Sequence, residues 1–266
     1  MVVNWDTALR AFNVTLLHYL ILPLEKWLMG LPWWLVTGVV ALVAYRMTGR
    51  VFALLATGMV VLMAAFGLYN LAMITLTIVI TSTVLAVALG IPTGIAMAKS
   101  NRADAVIRPV LDLMQTMPSF VYLIPVIMLF GIGKVPGVIA VVIYAVPPII
   151  RLTNLGIRQV DSSIIEAARA FGATGTQVLF KVELPLALPT LMAGLNQTIM
   201  MALGMVVVTS MIGAPGLGIE VLNGIARLEV GRGLLGGIGI VIMAIILDRI
   251  TQGFSKSRQP ARRAAG

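Results

Sequence analysis

The polar residues with the most distinctive spacing in this sequence lie in the segment 161–185. Ser163 is followed three positions later by Glu166, and Thr174 is followed at the same spacing by Gln177. A hydroxyl residue before a helix with Glu or Gln three positions on forms a capping box, in which each side chain accepts a backbone N–H of the other residue. The spacing therefore predicts two short helices, each with its own N-terminal cap.

Gly172 separates these two predicted helices, and glycine readily adopts the positive φ that ends a helix. Pro185 and Pro189 then mark the return of the chain to an apolar run. A plain connection between helices needs only about 2–8 residues, whereas the polar stretch 151–185 is far longer. We interpret it as a docking surface for another protein.

Residues that could catalyse a reaction or bind a metal are scarce. The chain has no cysteine and a single histidine, His18, which excludes thiolate and histidine-rich metal centres. Gly133-Lys134-Val135 resembles a phosphate-binding loop only superficially, because the first glycine and the final hydroxyl residue are missing. We therefore expect no catalytic residue, metal or cofactor in this chain, and any ATP and magnesium to be bound by a partner protein.

The composition predicts an all-α integral membrane protein. The chain is 59% hydrophobic and 11% charged, whereas soluble domains carry about 25% charged residues. Its net charge of +9 does not indicate nucleic acid, since the basic residues are scattered between apolar runs. We expect lipid, and no nucleic acid, to surround this chain.

Apolar runs bounded by charged residues predict about seven membrane-spanning helices. The stretch 11–24 is also apolar but contains Asn13 and His18, and we interpret it as an interfacial helix in preference to an extra span. The predicted spans are 32–45, 51–68, 72–98, 117–133, 135–150, 186–213 and 233–248.

The distribution of basic residues predicts the orientation. With a cytoplasmic C-terminus, most of the 19 basic residues, including the tail 254–266, fall on the cytoplasmic side. Seven spans then place the N-terminus outside and the loop 151–185 in the cytoplasm. We divide the chain into an extension at 1–69, a core at 70–253 and the basic tail.

The loop resembles a known family at fixed spacing. Glu166-Ala167-Ala168, then Gly172, then Val182-Glu183-Leu184-Pro185 is similar to the EAA loop of ABC-importer permeases, with Val182 in place of the usual isoleucine. The stretch from Pro147 to Gly218, and more widely 70–253, resembles permeases of glycine betaine, proline betaine and choline importers. Residues 1–69 match weakly.

This resemblance implies a type I ABC-importer permease fold, with a five-helix core and an N-terminal extension, in a bacterial inner membrane. It implies that a cytoplasmic ATPase docks on the loop, that an extracytoplasmic binding protein delivers the cargo, and that two copies of the chain form a homodimer around one path. It assigns coupling to the ATPase to six residues: Glu166, Ala167, Ala168, Gly172, Leu184 and Pro185.

The residues along the path are predicted less directly. Polar and methionine side chains of the spans could line it, or could simply join helices by hydrogen bonds and adaptable packing. No ionisable residue lies deep within a predicted span, which counts against a proton- or ion-coupled carrier. A permease for an amino acid or another osmolyte remains an alternative, and a secondary carrier is a weaker one. The candidate path residues are Tyr122, Asn196, Gln197 and Met200.

Overall fold

A computed structural model describes residues 2–257, with side chains for residues 7–253. Over the described range the chain forms helices and contains no β-strand. The predicted basic tail at 254–266 lies outside the residues whose side chains are described. The first four helices are α1 (Val2–Leu16), α2 (Leu22–Gly30), α3 (Trp33–Met47) and α4 (Arg50–Ala65).

Nine further helices follow along the described chain. A 3-10 turn (Ser119–Tyr122) precedes α7, and a π-turn (Leu179–Glu183) joins α10 to α11 without a break. The nine are α5 (Tyr69–Lys99), α6 (Asn101–Thr116), α7 (Leu123–Phe130), α8 (Lys134–Arg158), α9 (Ser162–Ala170), α10 (Gly175–Val178), α11 (Leu184–Thr209), α12 (Leu217–Ala226) and α13 (Val230–Ser257).

Four of the predicted spans coincide with long apolar helices. The spans at 72–98, 135–150 and 233–248 lie within α5, α8 and α13, and the span at 186–213 covers most of α11 and the 3-10 turn (Ser210–Ile212) that follows it. Each helix is part of a stretch long enough to cross a membrane. The spans at 32–45 and 51–68 correspond to α3 and α4, which have 15 and 16 residues. A span usually needs about 20 residues, so a crossing by α3 or α4 stays a prediction.

The predicted span at 117–133 is wrong as a single helix. It contains only the 3-10 turn and the eight-residue α7, which is bent by 113° from α6. Pro118 explains the bend, because a proline drives the residue before it out of the helical region, and Met117 is extended at ψ 136°. Helix α6, expected to be connecting loop, forms the first half of this bent pair.

The predicted interfacial segment 11–24 belongs to a longer helix. A π-turn at Leu17–Ile21 joins α1 to α2, so Thr7–Gly30 runs without a break and is long and apolar enough to span. It contacts the start of α8, where Lys134 forms an ion pair with Glu25. Only 11% of this stretch is buried within the chain, so interfacial placement stays a prediction.

Helices α5, α8 and α11 form the centre of the core, with α8 in the middle. Of the α8 span, 72% is buried inside the chain, against 28% of the α13 span. Glycines permit this close packing: a Cβ added at Gly94 of α5 would lie 2.6 Å from Thr153 Cβ of α8. A Cβ added at Gly156 would similarly lie 3.2 Å from Ala187 Cβ of α11. The three helices are therefore held in close contact by small residues.

Candidate functional site

The α8–α11 loop (residues 159–183) begins with a helix capped by Asp161, and not by Ser163 as predicted. Asp161 Oδ1 accepts a hydrogen bond from the backbone N–H of Ser163 at 2.9 Å. This bond favours the ionised carboxylate and so holds the pKa of Asp161 below its ordinary value. The predicted Ser163–Glu166 capping box is wrong because α9 already begins at Ser162, which makes Asp161 the residue at the cap position.

Gly172 ends α9 in the way that the sequence predicts. Its φ is +82°, in the left-handed region that favours glycine. The backbone N–H of Gly172 donates to the Arg169 carbonyl at 2.9 Å, and that of Ala173 donates to the Ala168 carbonyl at 3.0 Å. These bonds satisfy the last carbonyls of the helix and turn the chain towards α10.

The second capping box is confirmed. Gln177 N–H donates to Thr174 Oγ1 at 3.4 Å, and Thr174 N–H donates to Gln177 Oε1 at 2.9 Å. From α10 the helix continues through the π-turn into α11, so the loop joins the core on this side as one continuous helix. Pro185 lies directly after the π-turn, in the first turn of α11, and because it has no N–H it cannot donate to the preceding turn of this continuous helix.

Helix α9 turns little of its surface into the protein, and only Ile165 and Ala168 are half-buried. It has no buried residue, and Phe171 directly after it is 92% exposed. Ile164 is exposed as well. Sequence reasoning missed both residues, although two large apolar side chains in a polar loop were the signal that could have revealed them.

The six predicted coupling residues fall into two places. Glu166, Ala167, Ala168 and Gly172 lie on α9 and its end, and all of these but the half-buried Ala168 are exposed. Leu184, by contrast, packs on the small apolar cluster of Ile157, Ala187 and Leu191 at the base of the loop. The four loop positions are therefore available to a partner, while Leu184 fixes the loop to the core.

A set of polar contacts at the loop end of the core was not anticipated. Arg158, the last residue of α8, donates to the Met97 carbonyl at 2.8 Å and to Asn101 Oδ1 at 3.0 Å. Lys99, the last residue of α5, forms an ion pair with Glu183 of the π-turn. These contacts join helices far apart in the sequence, and no local spacing could have predicted them.

The four candidate path residues differ in their surroundings. Tyr122 is buried, donates its hydroxyl to the Met114 carbonyl and packs edge-on against Tyr144, with ring centroids 5.9 Å apart. Gln197 and Met200 face outwards from α11. In a single copy of the chain these two side chains can meet lipid or another copy, and their role in a path stays a prediction.

Asn196 joins α11 to α13 through a carboxylate. Asn196 Nδ2 donates to Asp248 Oδ1 at 2.8 Å, and Gln252 Nε2 donates to both Asp248 oxygens at 2.8 Å. Asp248 lies within the apolar stretch Val230–Gly253. Asp248 is the last residue of the predicted span at 233–248 and lies near the end of this stretch, so it is not placed deep within the span.

The family model described as "Binding-protein-dependent transport system inner membrane component" matches residues 90–259. The chain belongs to this family. The match contains the whole α8–α11 loop and the core helices from α8 to α13, and it makes the chain an inner-membrane component.

Several curated relatives are similar over most of the chain. The glycine betaine/proline betaine transport system permease protein ProW of Escherichia coli (strain K12) is 51% identical over 234 residues, covering 88% of this chain and 66% of that protein. The glycine betaine/carnitine transport permease protein GbuB of Listeria monocytogenes serotype 1/2a is 59% identical, covering 68% and 64%. The chain thus spans slightly less than two thirds of the length of these two relatives.

A third relative is covered more fully. The glycine betaine transport system permease protein OpuAB of Bacillus subtilis (strain 168) is 49% identical over 222 residues, which cover 84% of this chain and 79% of that protein. Among solved structures, a chain from inward-facing conformations of the MetNI methionine ABC transporter matches with a TM-score of 0.67 and 21% identity, over 72% of this chain and 96% of that chain. The predicted type I ABC-importer permease fold is confirmed.

Proposed function

We propose that this chain is the permease subunit of an ATP-driven importer for osmolytes that carry a quaternary or otherwise fully substituted nitrogen, such as glycine betaine. It forms the translocation path and couples it to a separate ATPase. The observation that carries this proposal is the α8–α11 loop, whose capped helix has no buried side chain and is followed by the almost completely exposed Phe171. An exposed aromatic side chain on a fixed helix marks a protein-binding surface.

The proposed cargo follows from the compounds that appear in the names of the similar proteins. These names include glycine betaine, proline betaine, carnitine, choline and trimethylamine N-oxide. All of these compounds carry a positively charged nitrogen that has no N–H group to donate, so their recognition depends on charge and shape. Aromatic cages often bind such groups, but Tyr122 and Tyr144 pack on each other here. Tight binding is therefore expected in an external binding protein.

The proposed assembly has two copies of this chain around one path. Each α8–α11 loop contacts one ATPase subunit in the cytoplasm, and the ATPase binds ATP and magnesium. An extracytoplasmic binding protein releases the cargo into the opposite end of the path. The C-terminus is then cytoplasmic and the N-terminus outside, with lipid around the dimer.

Uptake into proteoliposomes tests this proposal. The chain is reconstituted with its ATPase and binding protein, and labelled betaines, carnitine, choline, trimethylamine N-oxide and proline are compared. We expect ATP-dependent uptake of the methylated compounds, and none with an ATPase that cannot hydrolyse ATP. Uptake that persists with the inactive ATPase would establish a secondary carrier, and uptake of proline alone would establish an amino-acid permease.

A further inference from the structure

One charged side chain is buried at the base of the α8–α11 loop. Among residues 7–253, Glu183 is the only charged residue in the buried set, with 3% of its surface exposed. It is the last residue of the π-turn, which inserts an extra residue into the helix between α10 and α11. A buried carboxylate is costly unless it is paired, and its partner is Lys99.

Lys99 is placed where a cation is stabilised. It is the last residue of α5, and the carbonyl groups at a helix C-terminus favour positive charge. Its side chain is 41% exposed, whereas that of Glu183 is 4% exposed. Loss of Lys99 would therefore leave an uncompensated charge inside the protein.

The other connection of the loop is tied to the same turn of α5. Arg158 is the last residue of α8, just before the loop begins, and it donates to the Met97 carbonyl. Glu183 is the last residue before α11 and binds Lys99. The chain thus enters and leaves the loop through two residues that are both held by the final turn of α5, at Met97 and Lys99.

These contacts matter because the first half of the loop has little other hold on the core; in the second half, Val178 is buried and Leu179 packs on the apolar cluster of Ile157, Ala187 and Leu191. Helix α9 buries no side chain, whereas α5, α8 and α11 are packed closely through Gly94 and Gly156. A displacement of the loop therefore reaches the core through its two connections and through the packed second half of the loop. If a connection slips against α5, the loop moves further than the core helices do.

We propose that the Lys99–Glu183 ion pair, with Arg158 on Met97, anchors the α8–α11 loop to the final turn of α5 and makes the loop and core move together. Lys99 and Glu183 are positioning residues, since they act through the helices that they join. This inference rests on the proposed function, because the movement that the anchor transmits is the one driven by the ATPase.

A comparison of two Lys–Glu pairs tests the anchor. Glu183→Gln and Lys99→Met each remove one partner of the pair at the loop. Glu25→Gln removes one partner of the half-buried Lys134–Glu25 pair at the opposite end of the core, and serves as the matched control. The measured quantity is the number of osmolyte molecules imported per ATP hydrolysed in proteoliposomes.

We expect Glu183→Gln and Lys99→Met to lower this ratio by about fivefold or more. Lys99→Met leaves the buried Glu183 carboxylate unpaired, and Glu183→Gln removes the charge attraction that holds the π-turn to Lys99. Glu25→Gln leaves the ratio unchanged. The exchanged pair, Lys99→Glu with Glu183→Lys, restores at least half of the wild-type ratio. An unchanged ratio in Glu183→Gln, or an exchanged pair no better than the single variants, overturns the anchor.

A second measurement does not depend on transport. The chain has no cysteine, so two introduced cysteines can be spin-labelled without labelling any other residue. Ala105→Cys of α6 and Thr176→Cys of α10 are the two sites, and the distance between their labels is measured. Labelled chain is mixed with an excess of unlabelled chain, so that the distances are measured within one copy. We expect the distance distribution to become about twofold broader in Glu183→Gln and to stay unchanged in Glu25→Gln.

Equal widths in wild type and Glu183→Gln would overturn the anchor even in a protein that imports osmolytes normally. Conversely, a wild-type complex that imports none of the labelled compounds refutes the proposed function, whatever the width of the distance distribution. The two failures are therefore distinguishable.

Discussion

At the scale of single residues, the position of Gly172 requires a backbone conformation that few other residues adopt. Its φ of +82° and its N–H bond to the Arg169 carbonyl are both incompatible with proline, which requires a φ near −65° and has no N–H. We expect Gly172→Pro to insert normally, since it lies outside the spans. ATP-driven uptake in proteoliposomes should fall by about tenfold or more, because the exposed face of α9 is no longer held.

Gly175 provides a matched control for this substitution. It is the first residue of α10, a position that tolerates proline, and Thr174 before it is already extended at ψ 160°. Gly175→Pro should therefore keep at least half of the wild-type uptake. If Gly172→Pro and Gly175→Pro lost similar amounts of uptake, proline at any position of the loop would be disruptive. This result would contradict a specific role for Gly172.

The same loop shows which residues could be predicted from sequence. The roles of three residues could be predicted from their spacing alone, because each acts through hydrogen bonds to near neighbours in the sequence: Gly172, Thr174 and Gln177. Asp161 was missed because moving the helix start by a single residue changes the capping residue. The Lys99–Glu183 pair joins positions 84 residues apart, and only the packing of α5 beside the loop brings them together.

At the scale of helices, the contact of α5 with α8 depends on Gly94. A Cβ at this position would lie 2.6 Å from Thr153 Cβ and 2.7 Å from the Ile150 carbonyl oxygen, closer than atoms can approach. We expect Gly94→Ala to destabilise the protein by about 1–3 kcal/mol, the usual cost of an overpacked core. The measurement is the thermal unfolding midpoint of the purified chain in detergent.

Gly58 of α4 is the control, since an added Cβ there would meet nothing within 4 Å. Gly58→Ala should leave the midpoint unchanged or raise it, because alanine favours a helix over glycine by about 1 kcal/mol. If the unfolding midpoint of Gly94→Ala were equal to or above that of Gly58→Ala, α5 and α8 would not be in close contact at Gly94.

Helix prediction succeeded where apolar runs were long and failed where they were interrupted. The α5 and α11 spans were predicted because their apolar runs, at 72–98 and 186–213, exceed the length of a membrane crossing. The α6–α7 pair was missed because α6 has a polar side and Pro118 breaks the chain between the two helices. Hydropathy reports the apolar content of such a segment, but not the 113° bend between its two helices.

At the scale of the whole molecule, the number of crossings depends on the helix Thr7–Gly30. If it lies at the membrane surface, as predicted, and α3, α4 and the bent α6–α7 pair each cross, the chain has seven spans and the N-terminus is outside. If it crosses, its first residues are in the cytoplasm with the α8–α11 loop. Asn13 Nδ2 donates to the Phe130 carbonyl at 3.2 Å, close in sequence to Lys134, which pairs with Glu25. Both contacts lie at the end of the core that is opposite the loop. Because two residues that are far apart on this helix are held at the same end of the core, the contacts favour placement of the helix along the membrane surface.

Single cysteines in this cysteine-free chain decide between the two arrangements. Ala11→Cys reports on the first helix, Leu228→Cys on the exposed turn between α12 and α13, and Gln177→Cys on the α8–α11 loop. With a membrane-impermeant maleimide on intact cells, we expect Ala11→Cys and Leu228→Cys to be labelled, and Gln177→Cys only after permeabilisation. Labelling of Ala11→Cys only after permeabilisation would add a crossing and place the N-terminus inside. Labelling of Gln177→Cys in intact cells would reverse the whole orientation, and would exclude a cytoplasmic ATPase from the loop.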